Sequence, residues 1–532
     1  MSYGTAPIDY PPDRQRRSSI LIPSIPSSPF TGVNSLGRFA SSFQRAQSFL
    51  NLDPPQGLNR ERTYFDDDEF SPYRRGDHTG DDESVFDESD FLDEPSFAYT
   101  ESVQPRSRLD SLVSQDAPLL VKRVENADGT IVTSVEGQST APQTVFNSVN
   151  VLIGVGLLSL PLGFKYAGWG IGMVLLLASA YSTHYTAKLL AKCMDTDPSL
   201  VTYADIGYAA FGSKARVLVS LLFSLELVAA CVSLVVLFAD SLNALVPQVT
   251  KTEWKVVAFF VLTPPTFLPL SVLSISSIMG IMSVVGLVVI VFIDGLVKPT
   301  APGSLLDPMP TSMFPHAWIL VPLSFGIFMA PWGGHAVFPN IYRDMRHPQK
   351  YTKCLKTTYR ITLGLDLAMG VLGFLMFGDQ IQDEVTKNIL TTEGYPAVLN
   401  VIVTVLIALI PLSKTPLNAR PIISTLDALF NIQASQTPGA KIARVSTRCI
   451  CVATFVILSM VFPSFDKIIA LMGSGFCVSI CLILPLSFYL KIFRHDIKGG
   501  ERFFIYALLL IYSAVAVVGT IWSFLGVEPP HV

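Results

Sequence analysis

The chain has 532 residues, half of them hydrophobic, and a mean hydropathy of +0.46 even though its first 140 residues are polar. This excludes an ordinary soluble domain and implies a polytopic membrane protein. The formal charge of −4 averages two unlike regions: residues 1–140 hold 23 acidic against 13 basic side chains, and the remainder is net positive. It therefore points to no nucleic acid or other charged partner.

Residues 1–140 are rich in Ser, Pro, Arg and Asp, with an acidic run from Asp66 to Glu94. Such a segment buries too little apolar surface to offset its ordering entropy, so a disordered, acidic, cytosolic tail is expected. Within it, Arg16-Arg17-Ser18-Ser19 fits a phosphorylation site, and Asp116-Ala-Pro-Leu-Leu120 has the form of an acidic dileucine sorting signal. These short patterns would bring kinase or sorting partners. Ile20-Leu-Ile-Pro23 is too short and proline-broken for a signal-peptide core, so the first span is expected to serve as the internal signal.

From residue 141 onwards a transmembrane domain is expected to run to 526, leaving 527–532 as a short luminal C-terminus. Apolar runs of about 20 residues, the length that crosses a bilayer core, recur through it. Eleven are read: 144–165, 168–192, 215–246, 254–273, 275–297, 317–341, 355–378, 395–413, 446–463, 466–490 and 503–525. With the N-terminus in the cytosol, the loops on that side hold 19 Lys and Arg against six opposite. Cytoplasmic loops carry such an excess, which supports an odd span count and this orientation. Lys414 and Arg420 are counted in the cytosolic loop after span eight.

Two of the spans are interrupted: Asn150-Val-Leu-Ile-Gly-Val-Gly-Leu-Leu-Ser-Leu-Pro161 and Ser324-Phe-Gly-Ile-Phe-Met-Ala-Pro-Trp-Gly-Gly-His335. In hydrocarbon, backbone freed from a helix is tolerated only where protein or a water-filled cavity covers it. Eleven spans divide as five, five and one, which puts the breaks in spans one and six, the first of each half. That is the pattern of a carrier built from inverted repeats around a midplane site. Backbone amides of Gly154, Val155, Gly156, Leu157 and Leu158 are placed to face a carboxylate at a helix start. Carbonyls freed by Pro331 near Ile327 and Phe328 suit an ammonium. Asn150 and Gly333 flank the breaks, and Phe146, Phe325, Phe328, Met329 and Trp332 are available to line a side-chain pocket. A zwitterionic amino acid fits this set.

Ionisable groups inside spans are functional by default, because each charge costs about 3 kcal/mol at the bilayer centre. Glu226, deep in span three, is the first choice for proton coupling, and His335 is a second candidate as a relay. Asp366 lies in span seven, with Asp240, Asp294 and Asp466 nearer span ends. The seven cysteines include no C-x-x-C pair and are read as packing residues, so no metal or cofactor is expected. Gly154-Val-Gly156 lacks the third glycine and the βαβ setting of a dinucleotide loop.

The chain resembles the amino acid/auxin permeases, and within them the vacuolar amino-acid transporters; it is also similar to the vesicular inhibitory amino-acid transporter. The resemblance covers residues 141–525. It rests on Asn150-x-x-x-Gly154-x-Gly156-Leu-Leu-x-Leu-Pro161, Tyr166-Ala-Gly-Trp169, Pro331-Trp-Gly-Gly-His-Ala-Val-Phe-Pro-Asn-Ile-Tyr-Arg-Asp-Met-Arg-His-Pro348, and the segment Gly473 to Lys491. It implies an all-α, eleven-span LeuT-type fold, substrate contacts at Asn150, the Gly154–Leu158 backbone and the span-six break, and no enzyme activity. It further implies proton-coupled transport of neutral amino acids across the vacuolar membrane, as an antiporter filling the acidic lumen. A symporter of the same fold and an amino-acid sensor signalling through the tail are the alternatives.

Overall fold

A computed structural model describes residues 137–197, 199–430 and 438–525, the segments 121–125 and 131–135, and Phe39, Ser42, Phe43 and Ala46 of the tail. The dileucine and phosphorylation patterns and residues 527–532 lie outside the described residues. Inside the segment expected to be disordered, strands β1 (Val121–Glu125) and β2 (Ile131–Val135) form an antiparallel hairpin in the register Val121↔Val135 to Glu125↔Ile131. The β-branched content of Ile-Val-Thr-Ser-Val accounts for it locally.

The packed helical unit begins at Gly137, where Gln138 and Ser139 donate backbone bonds to Asp344 O (2.8 and 2.6 Å) and Arg346 donates to Ser139 O (2.9 Å). Helix α1 (Ala141–Leu152) starts with Pro142 in its first turn and a Thr140–Gln143 capping box. It ends at Ile153, and after a 3₁₀ turn (Val155–Ser159) the chain re-enters helix as α2 (Leu160–Met194). Spans one and two meet at Gly168, which has φ 69° and no room for a Cβ against the backbone of Met313. Only glycine meets both demands, which explains its place in Tyr166-Ala-Gly-Trp169.

A short α3 (Tyr203–Phe211) leads to α4 (Ser213–Leu245), the third span. The stretch expected as the fourth span is a 12-residue helix, α5 (Lys251–Leu262), which stops at a 3₁₀ turn, Pro264–Phe267, and α6 (Leu270–Val297) begins directly after Pro269. The boundary thus falls several residues earlier than the expected break between 273 and 275. The three prolines at 264, 265 and 269 lack the amides that would carry helix through this stretch.

Span six is α7 (Val321–Met329), a 3₁₀ turn Ala330–Trp332, a non-helical stretch and α8 (Phe338–Arg343). After it come α9 (Tyr351–Phe377), a short α10 (Val385–Thr391), α11 (Ala397–Leu429) and α12 (Pro438–Val461). The tenth span is α13 (Phe465–Leu471), a π-helical stretch Met472–Ile483, and α14 (Leu484–Ile492); α15 (Gly499–Phe524) closes the fold. Helix α11 continues well past the expected end at 413, through Pro411, Pro416 and Pro421. Lys414 and Arg420 therefore lie within a helix and not in a loop.

The helical unit is thus all-α. Eight helical segments among the described residues are long and apolar enough to cross a membrane, and Trp318–Trp332 is a shorter apolar one. Two groups of helices surround the breaks. Helix α2 packs on α7 and α9, while α11 packs on α4 and α6. The first group is sealed by Phe164, whose ring lies 5.2 Å from Trp169, 4.9 Å from Phe328 and 6.1 Å from Phe374.

Span six sits backbone-to-backbone on span ten. A Cβ at Gly326 would strike the Ala470 backbone, and one at Gly473 would strike that of Gly326. Gly326→Ala is accordingly expected to destabilise the protein by about 1–3 kcal/mol, the usual cost of overpacking. Gly364→Ala in α9, where a Cβ meets nothing within 4 Å, serves as the control. Thermal unfolding in detergent should show a lowered midpoint for the first and none for the second.

Candidate functional site

The two interruptions meet. A Cβ on Gly156 would lie 3.4 Å from Ala330 Cβ and from Pro331 Cδ and N, so the first break rests directly on the second. Beside this contact is a cavity of about 160 Å³, lined by the chain from Asn150 to Gly156, by Ala330, Pro331 and Gly333, and by side chains of α4 and α11. A cavity of this size has room for several ordered waters, or one small solute.

Gly154 is extended (φ −136°, ψ −170°), a conformation open to any residue, and nothing lies within 4 Å of where its Cβ would be. Its missing side chain is cavity space. The helical run that starts at Val155 presents N–H groups with no intrahelical partner, as at any helix start. On the other side of the gap, the last hydrogen bond of α1 runs from Ile153 N to Val149 O (2.8 Å), and Asn150 O comes next. It is capped by a lysine: Lys414 Nζ donates to Asn150 O and to Asn150 Oδ1, both at 2.8 Å, while Asn150 Nδ2 donates to Ser277 Oγ.

Glu226 lines the cavity from α4 and accepts a hydrogen bond from the Cys477 thiol at 3.5 Å. A Cβ at Gly333 would come within 2.7 Å of Cys477 Sγ and 2.9 Å of Glu226 Oε1, so a larger residue there would displace these side chains. The π-helical stretch brings two thiols to the span-six break. Cys477 also reaches Ala330 O (3.8 Å), and Cys481 reaches Trp332 O (3.6 Å). Thiols are weak donors, and Trp332 O also accepts from Gly334 N at 3.0 Å.

Of the residues read from sequence, Asn150, Gly154, Val155, Gly156, Gly333 and Glu226 line the cavity. The others do not. Leu157 and Leu158 are buried in the core, and Phe325 is half-buried against it. Phe328 joins the Phe164 cluster, Met329 is fully buried, and Trp332 stacks on Tyr359 at 5.2 Å. An aromatic beside a broken backbone can point to the gap or to the neighbouring helices, and these took the second course. Phe146 faces Phe39 of the tail, with ring centroids 5.1 Å apart.

His335 is also outside the cavity. Its Nε2 lies 3.0 Å from Thr183 O and 3.0 Å from Thr186 Oγ1, in the seam between spans two and six. Asp240 forms an ion pair with Lys251 at 3.0 Å, and Asp366 and Asp294 are buried away from the cavity. The polar end of the Pro331–Pro348 segment is a fastening. Arg343 donates to the carbonyls of Leu200, Met194 and Asp197, each at 2.6 Å.

Sequence reasoning missed the α11 wall (Lys414, Leu417, Asn418 and Pro421), the apolar wall of α4 around Phe223 and Leu234, and Phe43 from the tail. Phe43 is buried against Leu273 and Leu417, and the neighbouring Ser42 accepts from Asn147 Nδ2 at 2.7 Å. The proline-rich sequence of α11 hid its continuation, and nothing in the tail's composition signals a docking residue.

Two interrupted spans that meet beside a cavity fit the pattern of a solute carrier. Residues 137–527 match the family model described as transmembrane amino acid transporter protein, and the chain belongs to that family. Two Arabidopsis thaliana relatives are similar over most of their length. Amino acid transporter AVT1E is 31% identical over 402 residues, covering 72% of this chain and 73% of the relative. Amino acid transporter AVT1B is 30% identical over 397 residues, covering 73% and 71%. Among solved structures, MhsT in complex with L-phenylalanine aligns with a TM-score of 0.49 at 11% identity, over 73% of this chain and 100% of that one. The family is one of transporters, not enzymes.

Because the space at Gly154 is empty and its backbone unstrained, Gly154→Ala should fold normally. The added methyl group should occupy the cavity, raising the apparent KM severalfold, most for the largest substrates. Unfolding midpoints and a KM series across substrates of increasing size would check this.

Proposed function

We propose that the protein is a secondary active transporter of neutral amino acids in the vacuolar membrane, exchanging them for protons so that they accumulate in an acidic lumen. The observation that carries this reading is the cavity where the two breaks meet. On one side it has amides at a helix start, which suit a carboxylate. On the other it has the Asn150 carbonyl and side-chain oxygen, which suit an ammonium. Main-chain recognition of both ends of a zwitterion leaves the side chain to the apolar walls of α4 and α11. Neutral amino acids are the class that needs nothing more.

Proton coupling is assigned to the ionisable groups on the cavity, with Glu226 as its carboxyl. A carboxyl in a span that faces the transport path exchanges protons with whichever side is open, which is how a gradient is coupled to movement. In this reading the eleven spans form a five-plus-five inverted repeat with one further helix, and the N-terminus is cytosolic. Alternating access arises from rocking of the group containing spans one, two, six and seven against the group containing three, five and eight. His335, held between Thr183 and Thr186, serves within the moving group.

Purified protein in liposomes tests the assignment, using a panel of labelled neutral amino acids. An inside-acid gradient should drive uptake without ATP; uptake driven only by an outside-acid gradient would replace antiport by symport. Glu226→Gln should abolish gradient-driven uptake and spare amino acid exchange at equal pH. Full gradient-driven uptake in that variant would remove Glu226 from the coupling.

A further inference from the structure

Lys414 lies inside α11, a 33-residue helix, with its ammonium in the transport cavity. A lysine charge inside a span costs about 3 kcal/mol and calls for a reason. Among the described residues, no carboxylate lies within ion-pair distance of it. Its two bonds go to the main-chain and side-chain oxygens of Asn150, the acceptors left at the end of α1 by the break in span one. These are also the acceptors on that side that would receive a substrate's amino group.

We propose that Lys414 is the exchanging cation of the antiport: its ammonium occupies the amino-group subsite at Asn150 when no amino acid is bound, and the substrate's ammonium displaces it. The inference rests on the antiport reading above. Two ammonium groups on the same two oxygens would be like charges only a few ångströms apart with no anion between them, and they repel strongly in a site shielded from bulk water. Substrate binding therefore requires Lys414 to lose its proton and become a neutral amine. The N–H bond breaks with its electron pair left on Nζ, and the proton passes through cavity water to the Glu226 carboxylate on the facing wall, then to the open side. When the amino acid leaves, Lys414 takes a proton from that side and closes on Asn150 again. One cation is present at the subsite in either half of the cycle, which ties one proton to one amino acid.

Facing Glu226 from the π-helical stretch is the Cys477 thiol, which donates to Glu226 Oε1 at 3.5 Å. Helix α4 contributes Glu226 and the thiol of Cys231, which contacts Thr415 O at 3.9 Å. Helix α6 contributes Ser277 and Gly280, and the tail contributes Phe43; none of these three titrates.

The test uses full-length protein in liposomes and the neutral amino acid that the unsubstituted protein carries best. In exchange at equal pH, its apparent KM should rise as pH falls, by up to about tenfold per unit, as competition with a single proton requires. Lys414→Met, neutral at every pH, should keep exchange, lose at least about tenfold of the inside-acid-driven uptake, and show a KM independent of pH. Lys414→Arg, a cation that does not release its proton, should lose both activities with an unfolding midpoint close to that of the unsubstituted protein. Inside-acid-driven uptake by the Met variant above about a tenth of the unsubstituted protein's, a pH-dependent KM in it, or normal exchange by the Arg variant would each overturn the proposal. If Lys414→Met fails to fold, the Arg variant decides alone. Failure of the unsubstituted protein to take up amino acid under an inside-acid gradient sinks the antiport reading itself, whereas a coupled protein indifferent to Lys414 sinks only this inference.

Discussion

In a bilayer interior, a peptide N–H or C=O that leaves a helix has no water to turn to, and an unsatisfied group there costs several kcal/mol. Among the described residues, spans one and six leave the helix part-way, at Ile153–Gly154 and around Gly333, and much of the surrounding structure answers to those departures. The breaks rest on one another through Gly156, Ala330 and Pro331. Span ten is wound as a π-helix beside them and supplies the thiols of Cys477 and Cys481. Span eight supplies Lys414 to the carbonyl that α1 leaves open. π-helical segments are rare and concentrate at functional sites, and this one lies where span six unwinds.

The same constraint separates function from packing within the sequence motifs. Gly326 and Gly473 are small because two backbones touch, and Gly168 because the chain turns there with a positive φ. Gly154 is different: nothing touches it, and its small size keeps a space open. Three glycines serve close packing or a turn and one leaves space in the cavity wall, a distinction the sequence alone does not draw.

The breaks were legible because glycine and proline stand out against apolar runs, and the backbone part of the site came with them. Glu226 was legible for a similar reason, as a carboxyl in the middle of a span. The aromatic residues of span six were not, because periodicity fails at a break and the directions of Phe328 and Trp332 are set by Phe164 and Tyr359 from other helices. Lys414 was lost to a boundary error. Prolines at 411 and 416 mimic the end of a helix, so a charge beside the cavity was counted as a loop charge. Charge counting weighs Lys and Arg by their place in the sequence and does not register a lysine that turns inward to a main-chain oxygen.

The central claim is that the solute sits where the two interrupted spans meet. Cryo-electron microscopy of the full-length protein with a transported neutral amino acid tests it most directly. The account predicts ligand density between the Asn150–Gly156 backbone and Gly333, with the amino group at Asn150 and Lys414 Nζ withdrawn from it. Density elsewhere, such as beside Phe328 and Trp332 with the Lys414–Asn150 bonds unchanged, would contradict it.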